Sequence, residues 1–310
     1  MFKIDLNNIY TGDALRILRK FPNESVDCIV TSPPYYGLRN YGVSGQIGLE
    51  QSPEQYIKRL AKVFIACHRV LKKEGTLWIV IGDSYAGSGR GIGDINRKGI
   101  QQKASYVGEF CKPYRLNGYK NKDLIGIPWQ LAFALRKNGW YLRQDIIWHK
   151  PNPMPESVKD RCTKAHEYVF LLTKSARYYF NHNAMLEPAK YDGRAKNAYN
   201  GSTKYANMTA QGIHKGGKRW ANNIGGVPAR NKRSVWTVPT RGFKGSHFAT
   251  FPPDLIRTCI EACCPPDGVV LDPFMGAGTT ALVTKELGRN YVGIELNEEY
   301  VKLARERLGE

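Results

Sequence analysis

The sequence predicts an α/β fold in which a mostly parallel sheet is covered by helices on both faces. Apolar strand-like runs alternate with helical segments along most of the chain, and this alternation is typical of parallel sheets. Near the end, DPFMGAGTTA (Asp272–Ala281) lies between a strand and a helix, as the glycine turn of doubly wound folds does. The 310 residues, 42% of them apolar, suffice for one such domain with an insertion, or for two modest domains.

The N-terminal part predicts a strand and then a helix over residues 7–18 (NNIYTGDALRIL). A second apolar run, Cys28–Val30, indicates the end of a buried strand. Ser52 and Pro53 form a helix start, and apolar residues then recur with the helical period. We expect Gly75 to end this helix.

Strands and helices continue to alternate after Gly75. Further strands are predicted at Thr76–Asp83, 140–150 and 167–174, and a helix at 128–139. The C-terminal part then predicts strand, helix, strand and helix over 268–274, 280–287, 291–296 and 298–308.

The charge of the chain points to a polyanionic partner. Lys and Arg number 46 against 27 Asp and Glu, which gives a formal charge of +19. The excess is concentrated in Gly87–Lys122 and Arg177–Lys244, which show no sustained periodicity. Two solvated loops would explain these segments, but so lopsided a charge favours arms that hold a nucleic-acid backbone. The apolar runs are too short to span a membrane.

The cysteine pattern excludes a disulfide framework and a zinc site. The seven cysteines are odd in number and lack a Cys-x-x-Cys spacing, and the six histidines form no ligand pattern. We therefore expect reduced thiols and no bound metal. The N-terminus shows no apolar signal region, so we expect a cytoplasmic protein.

The stretch TSPPY (Thr31–Tyr35) follows the second strand. Two prolines stop any continuing ladder, and they place one hydroxyl, Ser32, near one flat ring, Tyr35. A surface turn would have similar composition. The alternative is a stiff site that grips a planar ligand.

The glycine turn predicts a nucleotide-type cofactor. Gly276, Gly278 and Ala281 satisfy G-x-G-x-x-A, and Glu295 ends the next strand, where an acid would bind ribose hydroxyls. The turn fits a nicotinamide dinucleotide as readily as S-adenosylmethionine. Only one strand and one helix follow it, so the N-terminal part must complete the sheet. Ligands bind at the carboxyl ends of strands, so one rim should hold Asp13, Ser32, Tyr35, Gly276 and Glu295.

TSPPY, DPFMGAGTT and the basic region between them resemble the amino-methyltransferases of DNA in the permuted β order. GTLWIVIGDSY, DIIWHKPNPMP and AHEYVFLLTK match further blocks of that family. The resemblance implies a seven-stranded methyltransferase sheet with circularly permuted motifs, S-adenosylmethionine as methyl donor and an exocyclic base amine as acceptor. It divides the chain into a catalytic half at 1–175 that includes a basic loop at 87–122, an inserted target-recognition region at 176–245, and a cofactor-binding half at 246–310.

The resemblance assigns catalysis to Ser32, Pro33, Pro34 and Tyr35. Serine at the first position is typical of cytosine-N4 enzymes and aspartate of adenine-N6 enzymes, so we expect N4-methylcytosine, with adenine N6 as the alternative. The chain has no Pro-Cys dipeptide, which a carbon-5 cytosine enzyme would need. A nicotinamide-dependent oxidoreductase and an inactive DNA-binding protein also remain open.

The resemblance also implies binding residues. Asp13 would contact the cofactor adenine, although capping of a helix is an alternative. Asp272 and Phe274 would line the methionine end, and Glu295 would hold the ribose. The remaining expected cofactor residues are Thr31, His247, Phe248, Pro273, Gly276, Gly278, Thr279 and Leu296.

The expected partner is double-stranded DNA, with a cognate restriction endonuclease as a possible second partner and a monomer or homodimer as the working form. Trp148–Pro151 would border the base pocket. The expected DNA contacts are Tyr36, Arg39, Lys215, Lys218, Arg219, Arg230, Lys232 and Arg233.

Overall fold

The computed structural model of the chain describes residues 3–87, 116–188, 229–240 and 251–310. The chain divides into two compact units, one made of Met1–Phe180 with Ser234–Glu310 and the other of Asn181–Arg233. The first unit holds the large sheet, to which both predicted halves of the catalytic domain contribute. The second unit falls inside the predicted insertion at 176–245.

The described residues form ten strands, six α-helices and one 3₁₀ helix. The strands are β1 (Asn8–Thr11), β2 (Val26–Thr31), β3 (Leu71–Ile81), β4 (Tyr141–His149), β5 (His166–Thr173), β6 (Leu186–Pro188), β7 (Ala229–Asn231), β8 (Val235–Thr237), β9 (Val269–Asp272) and β10 (Asn290–Glu295). The α-helices are α1 (Ala14–Leu18), α2 (Pro53–Val70), α3 (Ile127–Lys137), α4 (Pro253–Cys263), α5 (Thr279–Glu286) and α6 (Glu298–Leu308). A 3₁₀ helix spans His182–Met185.

The large sheet has the strand order β1-β10-β9-β2-β3-β5-β4-β8. The first five strands in this order, from β1 to β3, are all parallel to one another. β5 is antiparallel to both β3 and β4, and β8 is parallel to β4. The predicted mostly parallel α/β sheet is confirmed. The predicted count of seven omitted β8, a three-residue edge strand in a segment without periodicity.

The permuted order is visible in the pairing. β9 and β10, which come last in the chain, lie between β1 and β2, with Ile9 beside Gly293 and Cys28 beside Val270. The N-terminal and C-terminal parts therefore build one sheet. Their carboxyl ends share one edge.

Helices cover both faces of this sheet. Along β10, Val292 and Ile294 belong to the core that includes α1, α2 and α3, whereas Tyr291 belongs to the core formed with α5 and α6. This alternation follows from the two-residue period of a strand. None of the helices in the described part of the chain is long and apolar enough to cross a bilayer.

The predicted end of α2 at Gly75 is wrong. The helix ends at Val70, Leu71 already has extended backbone angles, and Gly75 lies inside β3. A Cβ at Gly75 would lie 2.8 Å from the carbonyl oxygen of Asp27. This glycine therefore permits close strand packing and does not terminate the helix.

The cysteines of the described segments behave as reduced thiols. Cys28, Cys67, Cys259, Cys263 and Cys264 are buried, and Cys162 is exposed. Within the described residues, no group of three or more His, Cys, Asp or Glu could hold a metal ion. Two of the buried thiols lie on α4, a helix that the sequence did not predict.

Candidate active site

A cavity of about 590 Å³ opens at the edge where the parallel strands end. Residues that follow β1, β2, β4, β9 and β10 line it, together with the start of β5. Because β5 runs antiparallel to β3, its first residues reach the same edge. The predicted site residues in its wall are Asp13, Ser32, Pro33, Pro34, Tyr35, Arg39, Asp272, Pro273, Phe274, Gly276, Thr279, Glu295 and Leu296.

Two contacts fix the turn Ser32–Tyr35 from behind. The Tyr56 hydroxyl on α2 donates to the carbonyl oxygen of Pro34 at 2.7 Å. Gly48 has a φ of +107°, and a Cβ there would lie 2.9 Å from the carbonyl oxygen of Tyr35, so only glycine fits this approach. The proline rings fix φ within the turn itself. The turn is therefore stiff.

The Tyr35 side chain is held at its hydroxyl and along its ring. The hydroxyl donates to Glu167 Oε2 at 2.7 Å, and a Cβ at Gly82 would lie 2.8 Å from the ring carbon Cε2. Burial raises the pKa of Tyr35 well above its usual value, and the Glu167 carboxylate raises it further. The hydroxyl is therefore protonated at neutral pH and acts as a donor.

Glu167 also binds Lys150, whose ammonium donates to Oε1. The Lys150 ammonium lies 4.3 Å from the centroid of the Trp148 ring. The side chains of Lys150 and Glu167 are only 17% and 16% exposed, and charges so buried need a partner. Tyr35, Glu167, Lys150 and Trp148 thus form one polar wall of the cavity, which we call the tyrosine wall.

The opposite end of the cavity is built around Glu295. Its Oε2 accepts from the Gly276 N–H at 2.8 Å and its Oε1 from the Asn297 N–H at 2.8 Å. Burial raises the pKa of Glu295. Each carboxylate oxygen has two acceptor positions, so Glu295 keeps acceptor capacity for a hydroxyl of a ligand.

The glycine turn beside Glu295 brings backbone close to the cavity. Gly276 and Gly278 have φ values of +53° and +76°, and a Cβ at Gly278 would lie 2.9 Å from the Cβ of Ala304 on α6. Phe274 and Leu296 add apolar wall. A partly buried carboxylate, a turn with two glycines and apolar walls fit a nucleoside-type cofactor.

Asp272 joins the two ends of the site. Its Oδ1 accepts from the Thr31 hydroxyl at 2.6 Å and its Oδ2 from the Thr280 hydroxyl at 2.6 Å. The Phe274 N–H adds a third bond at 2.9 Å. Burial raises the pKa of Asp272 to about 6, although these hydrogen bonds oppose the rise. Asp272 thus links Thr31 to the glycine turn.

Asp13 has the capping role that the sequence left open. Its Oδ1 accepts from the Arg16 N–H at 2.8 Å, at the start of α1. The residue also lines the cavity. Capping therefore holds Asp13 at the cavity wall, where it is available to a ligand.

A family model described as DNA methylase, of the N6 and N4 class, matches residues 26–306. The chain belongs to this family. The resemblance drawn from the sequence is thereby confirmed, and the nicotinamide-dependent oxidoreductase is wrong.

Relatives of this DNA methylase match along nearly its full length. Type II methyltransferase M.XycI from Xanthomonas campestris pv. cyanopsidis is 47% identical over 97% of this chain and 87% of its own. M.Cfr9I from Citrobacter freundii is 46% identical over 98% of this chain and 89% of its own. Both are whole-chain relatives.

Solved structures show the same fold. PvuII DNA methyltransferase (cytosine-N4-specific) has a TM-score of 0.63 at 18% identity, covering 97% of this chain and 85% of its own. TTHA0409 from Thermus thermophilus, complexed with S-adenosyl-L-methionine, has a TM-score of 0.57 at 24% identity, covering 97% and 93%.

Tyr36, an expected DNA contact of the methylase, has a buried side chain in the structure. Tyr36 is 2% exposed, and its ring lies 5.4 Å from that of Tyr56. The residue that follows Tyr35 points into the core, where it supports α2. Arg39, by contrast, lines the cavity.

In the unit Asn181–Arg233, two of the expected DNA contacts meet an acid. Arg230 Nε lies 2.8 Å and Arg233 Nε 3.2 Å from Glu187 Oε1. Glu187 therefore orders two cations beside each other, and Lys232 lies between them in sequence. The expected residues outside the described segments are Lys215, Lys218, Arg219, His247 and Phe248.

Sequence reasoning missed Glu167, Tyr56, Gly48 and Gly82. Glu167 carries a weak signal, because it begins the predicted strand at 167–174 and a charged residue at that point suggests a site. Tyr56, Gly48 and Gly82 contact the turn from other parts of the chain, and no local sequence pattern predicts such contacts. His149, one of the residues expected to border the base pocket, lies with Nδ1 3.1 Å from Thr237 Oγ1 on β8.

Proposed function

We propose that this DNA methylase methylates the exocyclic N4 amine of cytosine in duplex DNA, at one short sequence. The observation that carries the proposal is Ser32, which lines the cavity as the first residue of the Ser-Pro-Pro-Tyr turn. In the family that the sequence resembles, serine at this position is typical of cytosine-N4 enzymes. Aspartate is typical of adenine-N6 enzymes.

The cofactor is S-adenosylmethionine, which supplies a methyl group on a positively charged sulfur. Glu295 would hold the ribose hydroxyls, and Gly276 and Gly278 would let backbone approach the nucleoside. Phe274 and Leu296 would provide apolar contact, with Asp13 near the adenine. His247 and Phe248 remain predicted contacts to the methionine part.

The tyrosine wall and the turn would hold the base. The N4 lone pair of cytosine is delocalised into the ring, so the amine is a weak nucleophile. The Ser32 hydroxyl and the Pro33 carbonyl would accept its hydrogens and draw them out of the ring plane. Tyr35 would stack on the base after it leaves the duplex. Because serine is neutral, alignment by the stiff turn must supply most of the acceleration.

The partners follow from this activity. The relatives are Type II methyltransferases, so we expect a restriction endonuclease that cuts the same DNA sequence. The work would be done in the cytoplasm. Monomer and homodimer remain the expected forms, and light scattering with and without DNA distinguishes them.

The product tests the proposal. Plasmid treated with purified enzyme and S-adenosylmethionine should yield N4-methylcytosine when its nucleosides are analysed by mass spectrometry. Modification-sensitive sequencing of the same plasmid then gives the recognised site. N6-methyladenine as the only product would overturn the cytosine assignment. No methylated base in any duplex, despite tight cofactor binding, would overturn the activity itself.

A further inference from the structure

Met154 lines the cavity and has a solvent-exposed side chain. Its exposed fraction is 84%, the largest among the exposed large apolar side chains of the described residues. It lines the cavity together with Pro155. A single exposed apolar residue is ordinary on a protein surface, but its place beside a base-sized cavity is not accounted for by folding.

The segment that carries Met154 is stiff. Proline occupies positions 151, 153 and 155 on either side, and each proline ring fixes its own φ. Two hydrogen bonds of the Asn152 side chain anchor the segment to Thr240. The Asn152 Nδ2 donates to the Thr240 carbonyl oxygen at 3.0 Å, and the Asn152 Oδ1 accepts from the Thr240 N–H at 2.9 Å.

A second anchor lies on the other side of Met154. Glu156 Oε2 accepts from Arg161 Nη1 at 2.7 Å and from the Lys164 N–H at 2.9 Å. With both ends held, the loop has little freedom to fold Met154 back onto the protein. The side chain is therefore presented outward by construction.

The substrate class of the family says what this side chain meets. A base that enters the cavity leaves a gap in the duplex, and leaving the stack costs a few kcal/mol. Apolar side chains, methionine among them, are known to insert between the base steps of a duplex. Methionine suits the task because its unbranched, polarisable side chain adapts to irregular apolar spaces.

We propose that Met154 is a wedge that enters the DNA base stack and fills the space vacated by the target base. The inference rests on the proposed function in one respect, namely that the methylated base leaves the duplex. It does not depend on whether that base is cytosine or adenine. Met154 would thereby stabilise the opened duplex without touching the reacting amine.

The test compares Met154→Ala with Met154→Leu, which keeps an apolar wedge. The control is Ile65→Ala, since Ile65 is 45% exposed on α2 and does not line the cavity. DNA affinity is measured by fluorescence anisotropy on the cognate duplex with a paired, a mismatched or an abasic target position. Calorimetry with S-adenosylmethionine verifies that each variant keeps its cofactor end.

Met154→Ala should weaken binding to the paired duplex by about tenfold, equivalent to about 1.4 kcal/mol. The loss should persist on mismatched and abasic duplexes, because every bound duplex presents the same vacated space to Met154, whereas the lower cost of opening acts on wild type and variant alike. Met154→Leu and Ile65→Ala should bind like the wild type. A loss on the paired duplex alone, or no loss on any, would overturn the wedge while wild-type methylation still stands. A wild type that methylates no duplex would overturn the proposed function and the wedge together.

Discussion

Tyr35 and Glu167 are joined by a 2.7 Å hydrogen bond although 132 positions separate them in the chain. The bond ties the turn after β2 to the first residues of β5. Since Glu167 also holds Lys150, one carboxylate orders both the ring and the cation of the tyrosine wall. The position of the Tyr35 ring is therefore set by a strand that contributes nothing to the Ser-Pro-Pro-Tyr motif.

Removal of this hydrogen bond should reveal coupling between the two residues. Tyr35→Phe and Glu167→Gln should each lower kcat for methylation of a fixed duplex. The double variant should lose less than the sum of the single losses, with a coupling of about 0.5–3 kcal/mol, because both changes remove the same contact. Tyr141→Phe is the matched control, since Tyr141 lies on β4 and is 49% exposed. Strictly additive losses would show that Glu167 does not act through Tyr35.

Ser32→Ala should separate turnover from binding. The hydroxyl is proposed to accept a hydrogen that is drawn from the amine mainly in the transition state, so its loss should lower kcat more than DNA affinity. Single-turnover methylation and equilibrium DNA binding on the same duplex give the two quantities. Ser157→Ala, at an exposed position, is the control. A loss of affinity as large as the loss of kcat would assign Ser32 to binding instead.

Glu295→Ala should weaken S-adenosylmethionine binding by about 1.5–3 kcal/mol, the scale of hydrogen bonds to a charged group. Glu295→Gln should lose less, because it keeps one oxygen for the backbone N–H groups of Gly276 or Asn297. Isothermal calorimetry measures both. Glu299→Ala removes a nearby carboxylate whose side chain is 76% exposed and should leave affinity unchanged. Unaltered binding in Glu295→Ala would reject the ribose assignment.

Asp272 should make stability depend on pH. Its folded pKa of about 6 lies above the ordinary 3.8, so the folded state binds this proton more tightly. The resulting stabilisation is fully present below the unfolded pKa and is lost as pH rises through about 6. Each pKa unit corresponds to about 1.4 kcal/mol. Asp272→Asn lacks this titration. As the pH rises through about 6, the free energy of unfolding of the wild type should therefore fall relative to that of the variant. Urea unfolding across that pH window measures the difference, and a constant difference would contradict the assignment.

The basic insertion should set the salt dependence of DNA binding. Pro188 on β6 pairs with Ala229 on β7, so a two-residue glycine turn can replace residues 189–228 without moving either end. The log–log slope of affinity against salt becomes shallower by about 0.9 for each phosphate that the protein no longer binds. The shortened protein should therefore show a flatter slope and unchanged cofactor affinity. An equal slope would mean that these residues do not grip the backbone.

The sheet and the two loops of the site were predictable because their signals are local. Apolar runs that alternate with helical segments indicate the strands. The glycine turn and the double proline are each recognisable from a motif of a few residues. The rim followed from topology, since parallel strands bring their carboxyl ends together. Ser32, Tyr35, Gly276 and Glu295 accordingly line one cavity.

The remaining features depend on tertiary packing. Glycine commonly ends helices, which is why the sequence predicts that Gly75 ends α2. Its close approach to Asp27 becomes visible only when β2 and β3 are paired. Tyr36 is the same residue type as Tyr35, yet the direction of the chain after the turn buries the Tyr36 ring and places the Tyr35 ring at the cavity. Glu167 reaches the site because β5 runs antiparallel to its neighbours, a direction that its own sequence does not record.

The pairing of β1 with β10 has a consequence for the order of events during synthesis. The N–H of Tyr291 donates to the Asn7 side chain across 284 positions, so β1 finds its partner only after β10 has been synthesised. Until then β2 also lacks its neighbour β9, and a growing chain exposes an unpaired strand edge. Such edges invite aggregation, and long-range pairing is slow. We expect chains that stop before Asn290 to accumulate as insoluble material during expression, and soluble, folded products of that length would contradict this.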